Sequence, residues 1–139
     1  MPNRAPATDG KQREDTTGGS YFAPLAQGRY FLLTTPRPKG APVSVRVPGL
    51  ADGDRAYIQV WSGSGLARRL RHADQVQVTA CDTLGLVSHG EPMYAAVRPL
   101  AGEEASRAAE RLALEYQDRR DFLARLLRRT RVHYELLVP

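Results

Sequence analysis

Between Arg55 and Asp82 the chain reads RAYIQVWSGSGLARRLRHADQVQVTACD, and this stretch restricts the fold more than any other. Arg55 to Trp61 alternates as a half-buried strand does. Ser62, Gly63, Ser64 and Gly65 then interrupt it with residues that tolerate unusual backbone angles. Ser64 is placed to cap a helix over Leu66 to Ala73, with Leu66, Leu70 and Ala73 on one face and Arg68, Arg71 and His72 on the other. Val76 to Cys81 returns as a strand, so the unit is strand, turn, one short amphipathic helix, strand.

Backbone N–H groups exposed at a helix start, with guanidinium groups nearby, suit a phosphate or another anion. A flexible Ser-Gly turn followed by a solvated basic helix accounts for the same residues, and composition alone favours that plainer reading. The stretch holds neither the GxxxxGK[ST] of a P-loop nor the GxGxxG of a dinucleotide fold.

With 139 residues, 42% of them hydrophobic, the chain is the size of one domain with a proper core. Met1 to Gly19 mixes Pro, Gly, Thr and balanced charge without periodicity, so a flexible arm is expected there and a single domain over 20–139. No apolar run approaches the roughly 20 residues of a membrane helix, and Met1 to Ser20 has no hydrophobic signal core, which points to the cytoplasm. Cys81 is the only cysteine, which excludes an intrachain disulfide and a cysteine-built zinc site. Its place in an alternating strand suits a buried structural thiol. His72, His89 and His133 have no HxH or HxxxH spacing, so no metal site is expected. The formal charge of +5 could draw nucleic acid, but the basic residues are almost all arginine in an Ala- and Arg-rich chain, which a GC-rich genome also produces. Nucleic acid is therefore disfavoured as a partner.

Along the chain, Tyr21 to Gln27 suits a turn of helix and Arg29 to Thr35 a buried strand. Pro36 to Gly40 makes a hairpin connection, and Val43 to Val47 alternates strictly until Pro48-Gly49 ends it. Asp52-Gly53 signals another hairpin, so three antiparallel strands are expected before the basic helix. Beyond Asp82, a fifth strand takes in Met93 to Arg98, bent near Gly90 and Pro92. Gly102 to Tyr116 is the clearest helix, with Ala105, Ala108, Ala109, Leu112 and Tyr116 on one face; Asp121 to Thr130 suits a second, and Val132 to Val138 a closing strand.

The succession of Leu33-Thr34-Thr35, the run from Gly40 through Val47, Arg69-Leu70-Arg71 and the strand Val76 to Asp82 resembles the pyridoxamine 5'-phosphate oxidase-like class of split β-barrel flavin and deazaflavin proteins. The closest likeness is to the members described as F420-dependent oxidoreductases, over about Tyr21 to Pro139. The resemblance implies a mainly β fold, a six-stranded split β-barrel with short helices, and a homodimer with cofactor sites built across the interface. It also implies a role in cofactor binding for Thr34, Thr35, Ser44, Arg46, Val47, Trp61, Ser62, Gly63, Ser64, Gly65, Leu66, Arg68 and Arg69. The expected chemistry is hydride transfer between F420 and a small organic acceptor, with no dedicated catalytic acid or base; FMN, or no cofactor, is the alternative. Two positions depart from the family pattern. Leu66 stands where the family places a lysine shortly before the Arg69-Leu70-Arg71 element, and Val45 to Pro48 replaces a Thr-Pro-Val-aromatic run. Arg46 could supply the lost charge from another direction, because a guanidinium engages phosphate bidentately. A flavin- or other ligand-binding barrel, and a non-catalytic dimeric accessory protein whose cofactor site is lost, remain as alternative functions.

Overall fold

A computed structural model describes residues 20–28, 30–37, 39–116 and 130–139. The arm expected over 1–19 lies outside these residues, as does the helix expected over 121–130 except for Thr130. Seven strands form one antiparallel sheet in the order β2-β1-β5-β6-β7-β4-β3. They are β1 (Tyr30–Thr35), β2 (Val43–Val47), β3 (Gly49–Asp52), β4 (Arg55–Trp61), β5 (Gln75–Cys81), β6 (Ser88–Pro99) and β7 (Arg131–Leu137). Among the described residues two helices accompany them, α1 (Gly65–Leu70) and α2 (Gly102–Glu115), and a 3-10 turn over Ala23–Gln27 leads into β1.

The six-stranded, three-before-the-helix expectation is corrected at Pro48. The chain does not end its strand there. It resumes at once as β3, giving, among the described residues, four strands before α1 and seven in total. Pro48 has no N–H to donate, so the ladder with β1 stops, while its carbonyl accepts from the Gln59 amide at 3.2 Å and hands the chain over to β4. Gly49 permits the handover, because a Cβ there would lie 2.2 Å from the Phe31 ring. β2 and β3 occupy opposite ends of the strand order yet adjoin in the chain, so the sheet must curl until its ends meet at Pro48. The hydrogen-bonded ladder itself remains open between them.

Alternation fills the interior. Ala56, Ile58 and Val60 of β4 face inward with Tyr134 and Leu136 of β7, Phe31 and Leu33 of β1, and Val76 and Val78 of β5. Ile58, Leu33 and Leu136 are fully buried, and each such side chain contributes about 1.5–3 kcal/mol relative to exposure. Leu66, Ala67 and Leu70 of α1 close the same core, and Ser64 caps the helix by accepting from the Ala67 amide at 3.0 Å. β6 is a single strand of 12 residues. Its register against β5 shifts between Val78 and Ala80, where Gly90, at φ 83°, and Pro92 form the expected bend. β7 lies between β6 and β4 with both faces covered, His133 and Glu135 being buried on the side away from the core. Glu135 is held by Arg98 at 2.8 Å and Arg55 at 3.2 Å.

Candidate functional site

The strand break creates a cavity. β2 leaves β4 at Pro48 to pair with β1, and the wedge between the two strands is closed at one end by the start of α1. The space measures about 420 Å³. Val45, Arg46, Val47 and Pro48 line it from β2, Gln59, Val60 and Trp61 from β4, and Ser64, Gly65, Leu66 and Arg69 from the turn and α1. Tyr30 and Tyr116 complete the wall. Aromatic and aliphatic groups with a few polar atoms, in a cavity of this size, are the usual make-up of a small-molecule site.

Of the residues singled out from sequence, Arg46, Val47, Trp61, Ser64, Gly65, Leu66 and Arg69 meet in this cavity. Thr35 stands behind it: fully buried at the end of β1, its hydroxyl accepts from Arg69 Nε at 2.7 Å. Thr34 and Ser44 do not reach the cavity. Their hydroxyls pair at 2.8 Å across the β1–β2 hairpin, and Thr34 instead lines a separate groove of about 320 Å³ with Gln77 and Tyr94. Ser62 ties the turn to the strand beyond it by donating its amide to the Thr130 carbonyl at 2.9 Å, and Gly63 faces open space. Arg68 is exposed on the far side of α1 and is not part of the wall.

Leu66 is a core residue that also touches the cavity. It is 3% exposed and packs in the same cluster as Leu70, so an apolar group occupies the position where the sequence resemblance implies an ammonium. The charge on the wall comes from two guanidinium groups instead. Arg46 lies 4.3 Å above the centre of the Tyr30 ring and donates to the Thr83 carbonyl. Arg69 is held through Nε by Thr35, which leaves its terminal nitrogens beside Gly65 at the cavity wall. Among the described residues no carboxylate, imidazole or thiol lines the space.

Tyr30, Gln59 and Tyr116 were not anticipated. Tyr116 terminates α2, and its hydroxyl both accepts from the Gly49 amide at 3.0 Å and donates to the Gly49 carbonyl, clamping the helix end onto the strand break. Its ring lies 5.1 Å from that of Tyr30. Sequence spacing places Tyr116 only on a helix face, whereas the fold brings it to Gly49. The clue available was the strand register: with Thr34 opposite Ser44, Arg46 falls near the start of β1, beside Tyr30.

One further element borders the site. The turn from Asp82 to Val87 is shaped by the Asp82 carboxylate, which accepts from the Leu86 amide at 2.9 Å and the Val87 amide at 3.4 Å. Desolvation opposes ionisation of Asp82, but the surrounding backbone amides of Leu86, Val87, Gly85 and Leu84 outweigh it and hold the carboxyl below its ordinary value. Burial, helped by Asp82, pushes the neighbouring Cys81 thiol up, which Arg46 only partly offsets. Cys81 is a buried thiol without a disulfide partner.

No protein-family model and no curated protein matches the sequence. Solved structures do match the fold. A Listeria innocua protein described as a candidate pyridoxamine 5'-phosphate oxidase superposes with a TM-score of 0.57 at 17% identity, over 83% of this chain and 87% of its own. A Bacteroides thetaiotaomicron protein described as a candidate 5-nitroimidazole antibiotic resistance protein superposes with a TM-score of 0.60 at 14% identity, over 84% of this chain and 76% of its own. The chain therefore has the split-barrel fold of the pyridoxamine 5'-phosphate oxidase-like proteins, mainly β with two described helices. Among the described residues no helix is long and apolar enough to cross a membrane.

Proposed function

We propose that the cavity at the Pro48 strand break binds a flavin-type cofactor and that the chain is an oxidoreductase acting on a small organic acceptor. The observation that carries this reading is the composition of one continuous wall. Tyr30, Trp61, Val47 and Leu66 offer flat and aliphatic surface to a ring system, and Arg69 offers a guanidinium edge at the mouth of α1 to an anionic tail. A flavin or deazaflavin supplies the hydride chemistry when bound. The chain's own residues bind and orient it. Arg46 and Tyr30 form one stacked unit beside the ring space, and Tyr116 holds the opposite wall at Gly49. Leu66 and Val60 keep the inner end apolar and exclude water.

The finer reading is the deazaflavin F420, which the sequence resemblance favours, with FMN as the alternative. The same reading makes the protein a cytoplasmic homodimer. Leu84, Leu86 and Val87 are 72%, 78% and 54% exposed on the turn beside Arg46, an apolar surface suited to a second copy next to the cavity mouth. Titration of the purified chain with F420 and, separately, FMN, followed by cofactor fluorescence, tests the proposal. Saturable binding of either, weakened by Arg69→Ala, upholds it, and binding of neither ends it. Sedimentation of the free chain tests the dimer.

A second reading is favoured by Leu66. Because it is packed with Leu70 rather than presenting a cation, the barrel could hold a ligand without catalysing hydride transfer. Binding of a flavin that cannot be turned over with any of a panel of enones, quinones and nitroaromatics would select this reading.

A further inference from the structure

We infer that Thr35 and Gly65 are positioning residues for Arg69: between them they fix the plane and location of the guanidinium that meets the anionic tail of the bound cofactor. The inference rests on the proposed function and deepens it. Thr35 is fully buried at the end of β1, where a hydroxyl must find a partner, and that partner is Arg69 Nε at 2.7 Å. A guanidinium is planar and carries donors on two edges. Fixing Nε against a β-strand therefore fixes the plane and turns the Nη edge away from Thr35.

Gly65 supplies the second constraint, from a different element. It is the first residue of α1, a position where alanine is the better helix former, and its φ is not among the positive values of the chain. Backbone freedom is thus not why glycine stands here. A Cβ at Gly65 would lie 3.1 Å from Arg69 Nη1, closer than ordinary contact. The guanidinium passes over the bare Cα, and any side chain would push it outward by a few tenths of an ångström. Arg69, pinned by Thr35 on one side, could yield only by loosening that bond. The hydroxyl is neutral, so the arrangement locates the charge without neutralising it.

Thr35→Val, Thr35→Ser and Gly65→Ala, each titrated with FMN and with riboflavin, test the inference, because the two flavins share a ring and differ in the phosphate. Wild-type protein should bind FMN more tightly than riboflavin. Thr35→Val should lose about tenfold in FMN affinity while riboflavin affinity stays unchanged, and Thr35→Ser should keep the wild-type ratio. Gly65→Ala should weaken FMN a few-fold through the displaced guanidinium while riboflavin affinity stays unchanged. The same loss of the phosphate increment from substitutions on two different elements, with riboflavin affinity unchanged, is what a general packing role cannot produce. In the ligand-free protein, the Arg69 Nε–H resonance should exchange slowly with water in the wild type and in Thr35→Ser, and quickly in Thr35→Val. An unchanged FMN-to-riboflavin ratio in Thr35→Val, or equal weakening of both flavins, overturns the inference and leaves the proposed function standing. Wild-type protein that binds FMN and riboflavin equally also overturns it. Wild-type protein that binds neither flavin nor F420 overturns both.

Discussion

Arginines are used in two different ways at the two sides of this barrel. On the side covered by α2 they meet carboxylates: Arg98 with Glu104 and Glu135, Arg55 with Glu135, Arg107 with Glu103, and Arg111 with Asp52 at 3.0 Å. Donating to Glu104, then to Glu135, holds the Arg98 guanidinium well above its ordinary value. At the cavity, Arg46 and Arg69 are held by an aromatic ring, a carbonyl and a hydroxyl. A carboxylate neutralises a guanidinium and occupies its donors, whereas a neutral partner locates it and leaves its field intact. Stability should therefore depend on the first set and ligand binding on the second.

The largest effect is expected where the carboxylate is buried. Glu135 is 2% exposed and serves two arginines, so Glu135→Ala leaves both without their common partner. The expected loss is about 2–3 kcal/mol, less than for a fully buried pair because both guanidinium groups reach water. Urea unfolding measures it. Cofactor affinity should move less than twofold, and a parallel loss of binding would break the division between the two sides.

Tyr116→Phe comes next and probes a residue that joins them. Removing the hydroxyl deletes both contacts to Gly49 while keeping the ring beside Tyr30, at a cost of about 1 kcal/mol. Binding should weaken as well, because the cavity wall at the strand break loses its clamp. Calorimetric melting with and without FMN separates the two contributions.

Much of this frame is legible in the sequence, for local reasons. The valine alternation of β2, the Ser64 cap and the 3.6-residue spacing in α2 are signals within a dozen residues of one another, and the structure keeps them nearly unchanged. Pro48 is different. A Pro-Gly pair reads locally as a strand end, and it becomes a handover only because β2 pairs with β1 on one side of it while Leu50 pairs with Tyr57 in the β3–β4 hairpin on the other. The cavity exists because of that handover, so its unanticipated members, Tyr30, Gln59 and Tyr116, are brought in by topology. Thr34 and Ser44 fail for a different reason: their hydroxyls pair with each other across the β1–β2 hairpin, and strand parity turns Thr34 to the other groove, away from Thr35.

A smaller effect tests the cavity side. Arg46→Met keeps an aliphatic body over Tyr30 and removes the charge, at a stability cost of about 0.5–1 kcal/mol. FMN affinity should fall and lose part of its salt dependence, since the guanidinium field is what salt screens. Titration at low and moderate salt reads this directly. An unchanged salt dependence would assign the whole electrostatic contribution to Arg69.

The smallest effect is a pH dependence carried by His133, which lies between the two sides on β7. Its ring is buried, and its Nε2 lies 3.3 Å from Gln59 Oε1, the same Gln59 that lines the cavity. Burial, and secondarily the nearby charge of Arg131, pull its pKa below the ordinary 6.5. The native state therefore favours the neutral ring, while the unfolded chain binds a proton more readily. The stabilisation is fully present above pH 6.5 and fades as the pH falls from there through the lower folded value. His133→Gln should flatten the stability curve below pH 6.5 without changing it above, as urea midpoints across that range would record. Because the imidazole is shared with Gln59, acidification should also weaken cofactor binding in the wild type before any unfolding. Loss of that binding change in His133→Gln would tie the cavity wall to β7, while its persistence would place the responsible proton elsewhere.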